Sequence, residues 1–276
     1  MAKKECDIAI PMKSLNGAAS IQENELGEWS GDWYQDSCIL VFGDTGTGKS
    51  TLLNLFTGNQ AHTGRLPNGT TDENRIYEDK IHEKYPKWMD TIGLNDAKNE
   101  MDKSELYQSY LRMLKDNNVN SVHAVIWTML PDMKYKYEHR RQALYIQALF
   151  DTIDDQGNRS RINVWKNVIL LCKGIFDEED FQGAKSAITD ILGDNAVTSN
   201  NIECINMEAF AKIDKTRLDF NCQQAISTKN RLNEVLGNMK TPLYLNFKPM
   251  ICLDCGQKGD PRLMEYWCHL EKEKLK

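Results

Sequence analysis

The segment LVFGDTGTGKSTLLNLFTG, residues 40–58, constrains this chain more than any other stretch of it. Gly43, Gly48, Lys49 and Ser50 satisfy the spacing G-x-x-x-x-G-K-[ST], and they fall where an apolar, strand-like run ends and helical spacing begins. In a loop of this kind glycines let successive backbone N–H groups converge on a phosphate, and the following helix N-terminus adds partial positive charge. Residues Gly43, Asp44, Thr45, Gly46, Thr47, Gly48, Lys49, Ser50 and Thr51 are therefore expected to cradle the phosphates of a nucleotide. Lys49 is expected at the β- and γ-phosphates, with the Ser50 hydroxyl on Mg²⁺.

The rest of the chain has the rhythm of an α/β fold. Short apolar runs recur at CILVF (38–42), VHAVIW (122–127), NVILLC (167–172) and IECIN (202–206), each bounded by polar or turn residues. Helical spacing fills the intervals in STLLNLFTG, KSELYQSYLRMLKDN, HRRQALYIQALFDTI, DFQGAKSAITDILG and RLDFNCQQAISTKNRLNEVLGNM. The expectation is a doubly wound, mainly parallel sheet with helices on both faces and ligands at the carboxyl ends of its strands. RIYEDKI and KYPKWMD read as a polar-edged hairpin on one side of that sheet. Residues 37–240 form the expected nucleotide-binding domain, and 1–36 and 241–276, which lack a clear period, are expected to be extensions packed on it.

Composition excludes several classes of function. The 34 basic and 40 acidic residues give a net charge of -6, which offers no global attraction for nucleic acid or anionic lipid. No segment approaches the roughly 18 apolar residues of a membrane span, so a cytoplasmic protein is expected. Cys38, Cys172 and Cys204, three of eight cysteines, sit inside apolar runs and are expected to be reduced.

A second element separates the possible nucleotide chemistries. KWMDTIGLND supplies Asp90-Thr91-Ile92-Gly93, a D-x-x-G at the end of a candidate strand. Asp90 can hold Mg²⁺ through a water, and the Gly93 N–H can touch the γ-phosphate and sense its loss. Between the two motifs lies GRLPNGTTDENR, a polar, turn-rich loop suited to ordering around the γ-phosphate and metal, in which Thr71, or else Thr70, is the candidate metal-sensing threonine.

Together GDTGTGKSTLLNLFTG, GTTDEN and DTIGLND resemble the immunity-associated GTPases (GIMAP proteins) and their chloroplast-import relatives, the Toc GTPases, in the septin-like branch of G proteins. The resemblance spans residues 37–240 and implies a GTP/GDP switch that uses Mg²⁺ and often self-associates through its nucleotide face. From the motifs themselves, Lys49, Thr71 and Gly93 are the expected catalytic set, and Ser50, Thr71 and Asp90 the expected metal set.

Two departures bear on mechanism. Guanine-selective members carry N/T-K-x-D after the fifth strand. This chain has LLCKGIFDEED, with Lys173 in place but Ile175 where the aspartate belongs. Asp177 can substitute if the loop bulges, or the base can be held by Lys173 and Asn206. Leu94 follows the glycine where Ras-like switches place a water-orienting glutamine, so slow intrinsic hydrolysis is expected. Arg75 and His82 in cis, and Arg112, Arg140 and Arg141 in trans, are candidates for the missing polarising group, set against the alternative of solvated surface charge. A homodimer formed through the loops 60–75 and 93–105 would supply such a group. The competing reading is a nucleotide-locked scaffold, binding GTP, GDP or ATP without useful turnover.

Cys252 and Cys255, with Cys268 and His269, have partial zinc-ligand spacing but lack a second spaced pair, which favours reduced structural cysteines. Trp29, Trp33 and Trp88 form either a binding surface or cover for the core.

Overall fold

In the run SCILVFG, alternate residues enter opposite cores: Cys38, Leu40 and Phe42 on one side, Ile39 and Val41 on the other. Burial on both faces explains why no charged residue interrupts the run, the pattern of a central parallel strand. The computed structural model describes residues 37–58, 61, 74–78, 87–93, 103–129, 137–150, 152–153, 159–160, 163–173, 179, 182, 203–207, 210–213, 218–239, 241–245, 250–251 and 258–259. All belong to the second of two compact units, Trp33–Lys276; the first, Met1–Asp32, lies outside the described residues.

The elements run β1 (Ser37–Gly43), α1 (Lys49–Thr57), β2 (Arg75–Glu78), β3 (Lys87–Asp90), α2 (Lys103–Asp116), β4 (Ser121–Met129), α3 (Tyr137–Phe150), β5 (Thr152–Ile153), β6 (Arg159–Ser160), β7 (Val168–Lys173), β8 (Glu203–Met207), α4 (Gln223–Asn238), β9 (Leu243–Tyr244), β10 (Met250–Ile251) and β11 (Lys258–Gly259). Strands β3, β1, β4, β7 and β8 are parallel neighbours in that order, and β2 runs antiparallel outside β3. The expected parallel sheet is thus present, with all four apolar runs in it and the polar-edged hairpin on its flank. Strand β9, after residue 240, pairs antiparallel with the start of β4 through Ser121–Tyr244 and Val122–Leu243, at the end away from the glycine loop.

Two apolar cores sandwich the sheet. One packs Tyr110, Leu111 and Leu114 of α2 and Ile146, Leu149 and Phe150 of α3 on Leu40, Val125, Trp127 and Leu170. The other packs Leu52, Leu53 and Phe56 of α1 and Leu232, Val235 and Leu236 of α4 on Val41, Ile126, Leu171 and Ile205. Trp88 belongs to this second core, stacked on Phe56 at 4.3 Å between centroids, so it is core and not binding surface. Trp29 and Trp33 lie outside the described residues.

One boundary corrects the sequence reading. Helical spacing suggests that the last helix takes in Arg217–Asn221, yet Leu218 bridges to Lys212 and the helix begins only at Gln223. The Asp219 carboxylate accepts from the Asn221 N–H at 2.9 Å and the Asp219 carbonyl accepts from Cys222 N–H at 3.4 Å. This local turn satisfies the backbone in a competing way and delays the helix. Of the segment DFQGAKSAITDILG only Gln182 is described, and it is helical.

Candidate functional site

The glycine loop leaves β1 at its carboxyl end and enters α1 at Lys49, so the first turn of α1 faces the end of the parallel sheet. Gly48 caps the helix at φ 99°, and no acidic residue occupies its first turn, which leaves the helix N-terminus positive. Gly43 at φ 144° is forced by crowding as well as conformation: a Cβ there would lie 2.5 Å from both the carbonyl and the hydroxyl oxygen of Thr128 on β4. The Thr47 and Thr128 hydroxyls share a 2.6 Å hydrogen bond, with the Asp44 carbonyl 2.7 Å from Thr47 Oγ1 and the Phe42 carbonyl 3.2 Å from Thr128 Oγ1 as further acceptors. The loop is thereby fixed to the neighbouring strand. At Gly46, φ 82°, nothing lies within 4 Å of a built Cβ, so the loop's mouth is open there.

The charged groups converge on this loop. Lys49 Nζ donates to the carbonyls of Gly43 at 3.1 Å and Asp44 at 2.9 Å, folding its ammonium back over the cradle. Ser50 donates to Asp90 Oδ2 at 2.7 Å, which joins the two motifs across the β1–β3 pair. A hydroxyl and a carboxylate at hydrogen-bond distance beside a lysine suit Mg²⁺ and triphosphate oxygens. The donor set therefore fits both groups.

The D-x-x-G segment is held from three sides. Thr91 donates to the Val41 carbonyl at 2.8 Å, Ile92 N–H donates to Asn74 Oδ1 at 2.8 Å, and Tyr110 donates to the Ile92 carbonyl at 2.8 Å. Asn74 in turn donates to Ser109 Oγ at 2.6 Å, which ties the residue just before β2 to α2. Burial, with Tyr145 as a lesser cause, pushes the Tyr110 phenol well above the ordinary tyrosine range, so it remains a protonated donor. Gly93 rests directly on the glycine loop: a Cβ there would collide with Thr45 Oγ1 and lie 2.6 Å from Thr45 N. Thr45 Oγ1 is itself buried with no hydrogen-bond partner, an arrangement that costs about 1–3 kcal/mol until a partner arrives.

Behind the loop, Gln142 of α3 donates to Asp44 Oδ1 at 2.6 Å and accepts from Trp127 Nε1 at 2.7 Å. Sequence reasoning missed Gln142, Asn74, Tyr110 and Thr128. A polar residue at a buried position of a helical stripe was the available signal for Gln142.

Two strands from β1, Lys173 ends β7 half-buried. A Cβ on Gly48 would lie 3.4 Å from Lys173 Cδ and 3.3 Å from Met207 Cε, so both side chains reach the loop. Asn206 is exposed near the end of β8, paired in register with Cys172. Arg75 is exposed on β2 and Arg112 exposed on α2. Thr51 lies in the first turns of α1, half-buried. Thr70, Thr71, His82, Leu94, Ile175, Asp177, Cys252, Cys255, Cys268 and His269 lie outside the described residues, as do the side chains of Arg140 and Arg141.

A glycine loop between β1 and α1, a lysine folded over it and a D-x-x-G beside it on a mostly parallel sheet match a P-loop GTPase fold. Residues 38–163 match the family model described as 50S ribosome-binding GTPase. The fold is similar to that of Toc33 from Arabidopsis thaliana in complex with GDP and Mg²⁺, at 17% identity and a TM-score of 0.52, covering 76% of this chain and 88% of that one. Toc33 in complex with Mg²⁺ and GMPPNP superposes with a TM-score of 0.51 at the same identity and coverage, 76% and 88%. So does a structure of the chloroplast translocon components atToc33 and psToc159, for whose GTPase activity dimerization is important, at 14% identity, a TM-score of 0.51 and coverage of 76% and 86%. No curated protein matches the sequence. Among the described residues no helix is long and apolar enough to cross a membrane, and no cluster of three or more His, Cys, Asp and Glu side chains is arranged to hold a metal ion.

Proposed function

We propose that this chain is a guanine-nucleotide switch that binds GTP and GDP with Mg²⁺ and hydrolyses GTP slowly, assisted by self-association. The observation that carries the reading is the convergence of Lys49, the Ser50–Asp90 pair and Gly93 on one glycine loop. In this reading Gly43 to Thr51 bind the phosphates, and Lys49 exchanges its loop carbonyls for β- and γ-phosphate oxygens. Ser50, Asp90 and Thr71 would hold Mg²⁺, which when bound neutralises charge developing on the phosphates. Gly93 reports the γ-phosphate through its N–H. Lys173 covers one face of the base, while Asp177 or Asn206 reads its edge. Residues 37–240 are the working domain, acting in the cytoplasm.

Self-association is supported by the missing glutamine at Leu94 and by the dimerization dependence stated for the similar translocon components. A partner's arginine entering the site would supply the absent polarisation, an effect worth about 10³–10⁵ in rate where it occurs. Arg112, exposed on α2, is a candidate for that group.

The experiment is nucleotide binding by titration calorimetry, followed by single-turnover hydrolysis across protein concentrations, with light scattering in GDP and GMPPNP. Specific activity should rise with concentration, and the GMPPNP form should associate more. A flat activity from a monomer in both states removes the self-association. Bound GTP that never turns over leaves the second reading, a nucleotide-locked scaffold, which Leu94 favours. GTP should outcompete ATP against labelled GDP, by a smaller margin than a standard base-reading aspartate confers, and Asp177→Ala should narrow it further; equal competition by ATP removes the guanine assignment.

A further inference from the structure

We propose that the Thr45 hydroxyl orients the attacking water in place of the glutamine that Leu94 replaces; this deepens the GTPase reading above and rests on it. Three observations meet at this residue. The Leu94 side chain neither donates nor accepts a hydrogen bond, so the position after Gly93 offers the water no polar side chain. Thr45 Oγ1 lies against Gly93, the residue whose N–H marks the γ-phosphate position, closely enough that a Cβ on Gly93 would collide with it. That hydroxyl is also buried with no hydrogen-bond partner, whereas the hydroxyls of Thr47, Thr57 and Thr91 donate to the carbonyls of Asp44, Leu53 and Val41.

An orphaned hydroxyl between the phosphate loop and the γ-phosphate sensor has donor and acceptor capacity in reserve. A triphosphate brings γ-phosphate oxygens and a water into reach, and the hydroxyl accepts one proton of the water while donating to a phosphate oxygen. The water oxygen then forms the new bond to phosphorus as the bond to the β–γ bridging oxygen breaks and its electron pair leaves on GDP. The water's proton ends on inorganic phosphate, and Thr45 is unchanged. Its γ-methyl is free to pack, so serine retains the chemistry and valine retains only the shape.

The test compares Thr45→Val and Thr45→Ser with wild type in single-turnover hydrolysis at saturating GTP. Affinities for GDP, for GMPPNP and for GDP with aluminium fluoride, which mimics the transition state, are measured alongside. Thr45→Val should lose about 10²-fold in hydrolysis, the scale of removing one positioned polar group, and a similar factor in affinity for the aluminium fluoride complex. GDP affinity should stay within about threefold and GMPPNP affinity should fall by less than the hydrolysis rate, and Thr45→Ser should hydrolyse close to the wild-type rate. Thr45→Ala, which leaves the loop less crowded, should repeat the loss if the valine variant folds poorly. Wild-type hydrolysis in Thr45→Val and Thr45→Ala overturns the proposal, as does an equal loss of GDP binding and hydrolysis, which marks a packing role. Wild-type protein that binds GTP without turnover instead overturns the GTPase reading itself.

Discussion

Gln142 of α3 and Asp44 of the glycine loop, 98 residues apart, meet in a buried 2.6 Å hydrogen bond. Because Gln142 also accepts from Trp127 Nε1, the loop is tied through one amide to both α3 and β4. Gln142→Ala removes a donor from a buried carboxylate and strands the indole N–H, which should cost about 1–3 kcal/mol. Denaturant unfolding at constant m checks the cost, and nucleotide affinity should fall with it. A variant as stable as wild type would show that the bond carries no net weight.

In the proposed reading Lys49→Ala and Ser50→Asn remove groups that act on phosphate and metal and not on the apolar core. Both should fold as wild type yet lose Mg²⁺-nucleotide binding by at least about 10²-fold, as expected for charge-assisted contacts. Calorimetric titration with GTP and GDP, beside a circular dichroism melt, separates the two effects. Wild-type affinity in both variants would remove the site assignment.

Gly93→Ala places a methyl group where Thr45 stands, 2.6 Å from the Thr45 nitrogen. Backbone cannot yield as a flexible side chain can, so the D-x-x-G segment must lift from the loop. Preference for GMPPNP over GDP should drop by about tenfold or more if, as proposed, only the triphosphate engages the Gly93 N–H. Unchanged preference would show that Gly93 does not sense the γ-phosphate.

Alkaline pH should destabilise the fold through two buried groups. Burial raises the Cys38 thiol from 9.0 to about 12, and pushes the Tyr110 phenol well above 10.0. Well below pH 9 both are neutral in folded and unfolded chains, so these two groups add nothing to the pH dependence there. Above it the unfolded chain releases protons that the folded chain retains, and stability falls as pH rises from about 9 toward 12. Cys38→Ala should flatten part of that fall. In the native state Cys38 should also resist iodoacetamide at pH 8 and react once unfolded; rapid native labelling would contradict its burial.

Local spacing made much of this molecule legible. The glycine loop, the D-x-x-G, the four buried strands and the polar-edged hairpin each depend on residues within a few positions, where glycine conformation, strand alternation and helix periodicity act directly. The late start of α4 was hidden because the Asp219 turn and the helix compete for the same backbone donors, and the 3.6-residue period continues through both. What Gly43, Gly93, Asp44 and Thr45 touch was decided by tertiary structure alone. Thr128 meets the loop because β4 lies beside β1, Gln142 because α3 packs over β4, and Asn74 because β2 pairs with β3. Strand order is set by long-range burial of two apolar faces, and it brings polar side chains 18 to 98 residues apart into contact without leaving a periodic trace in the chain.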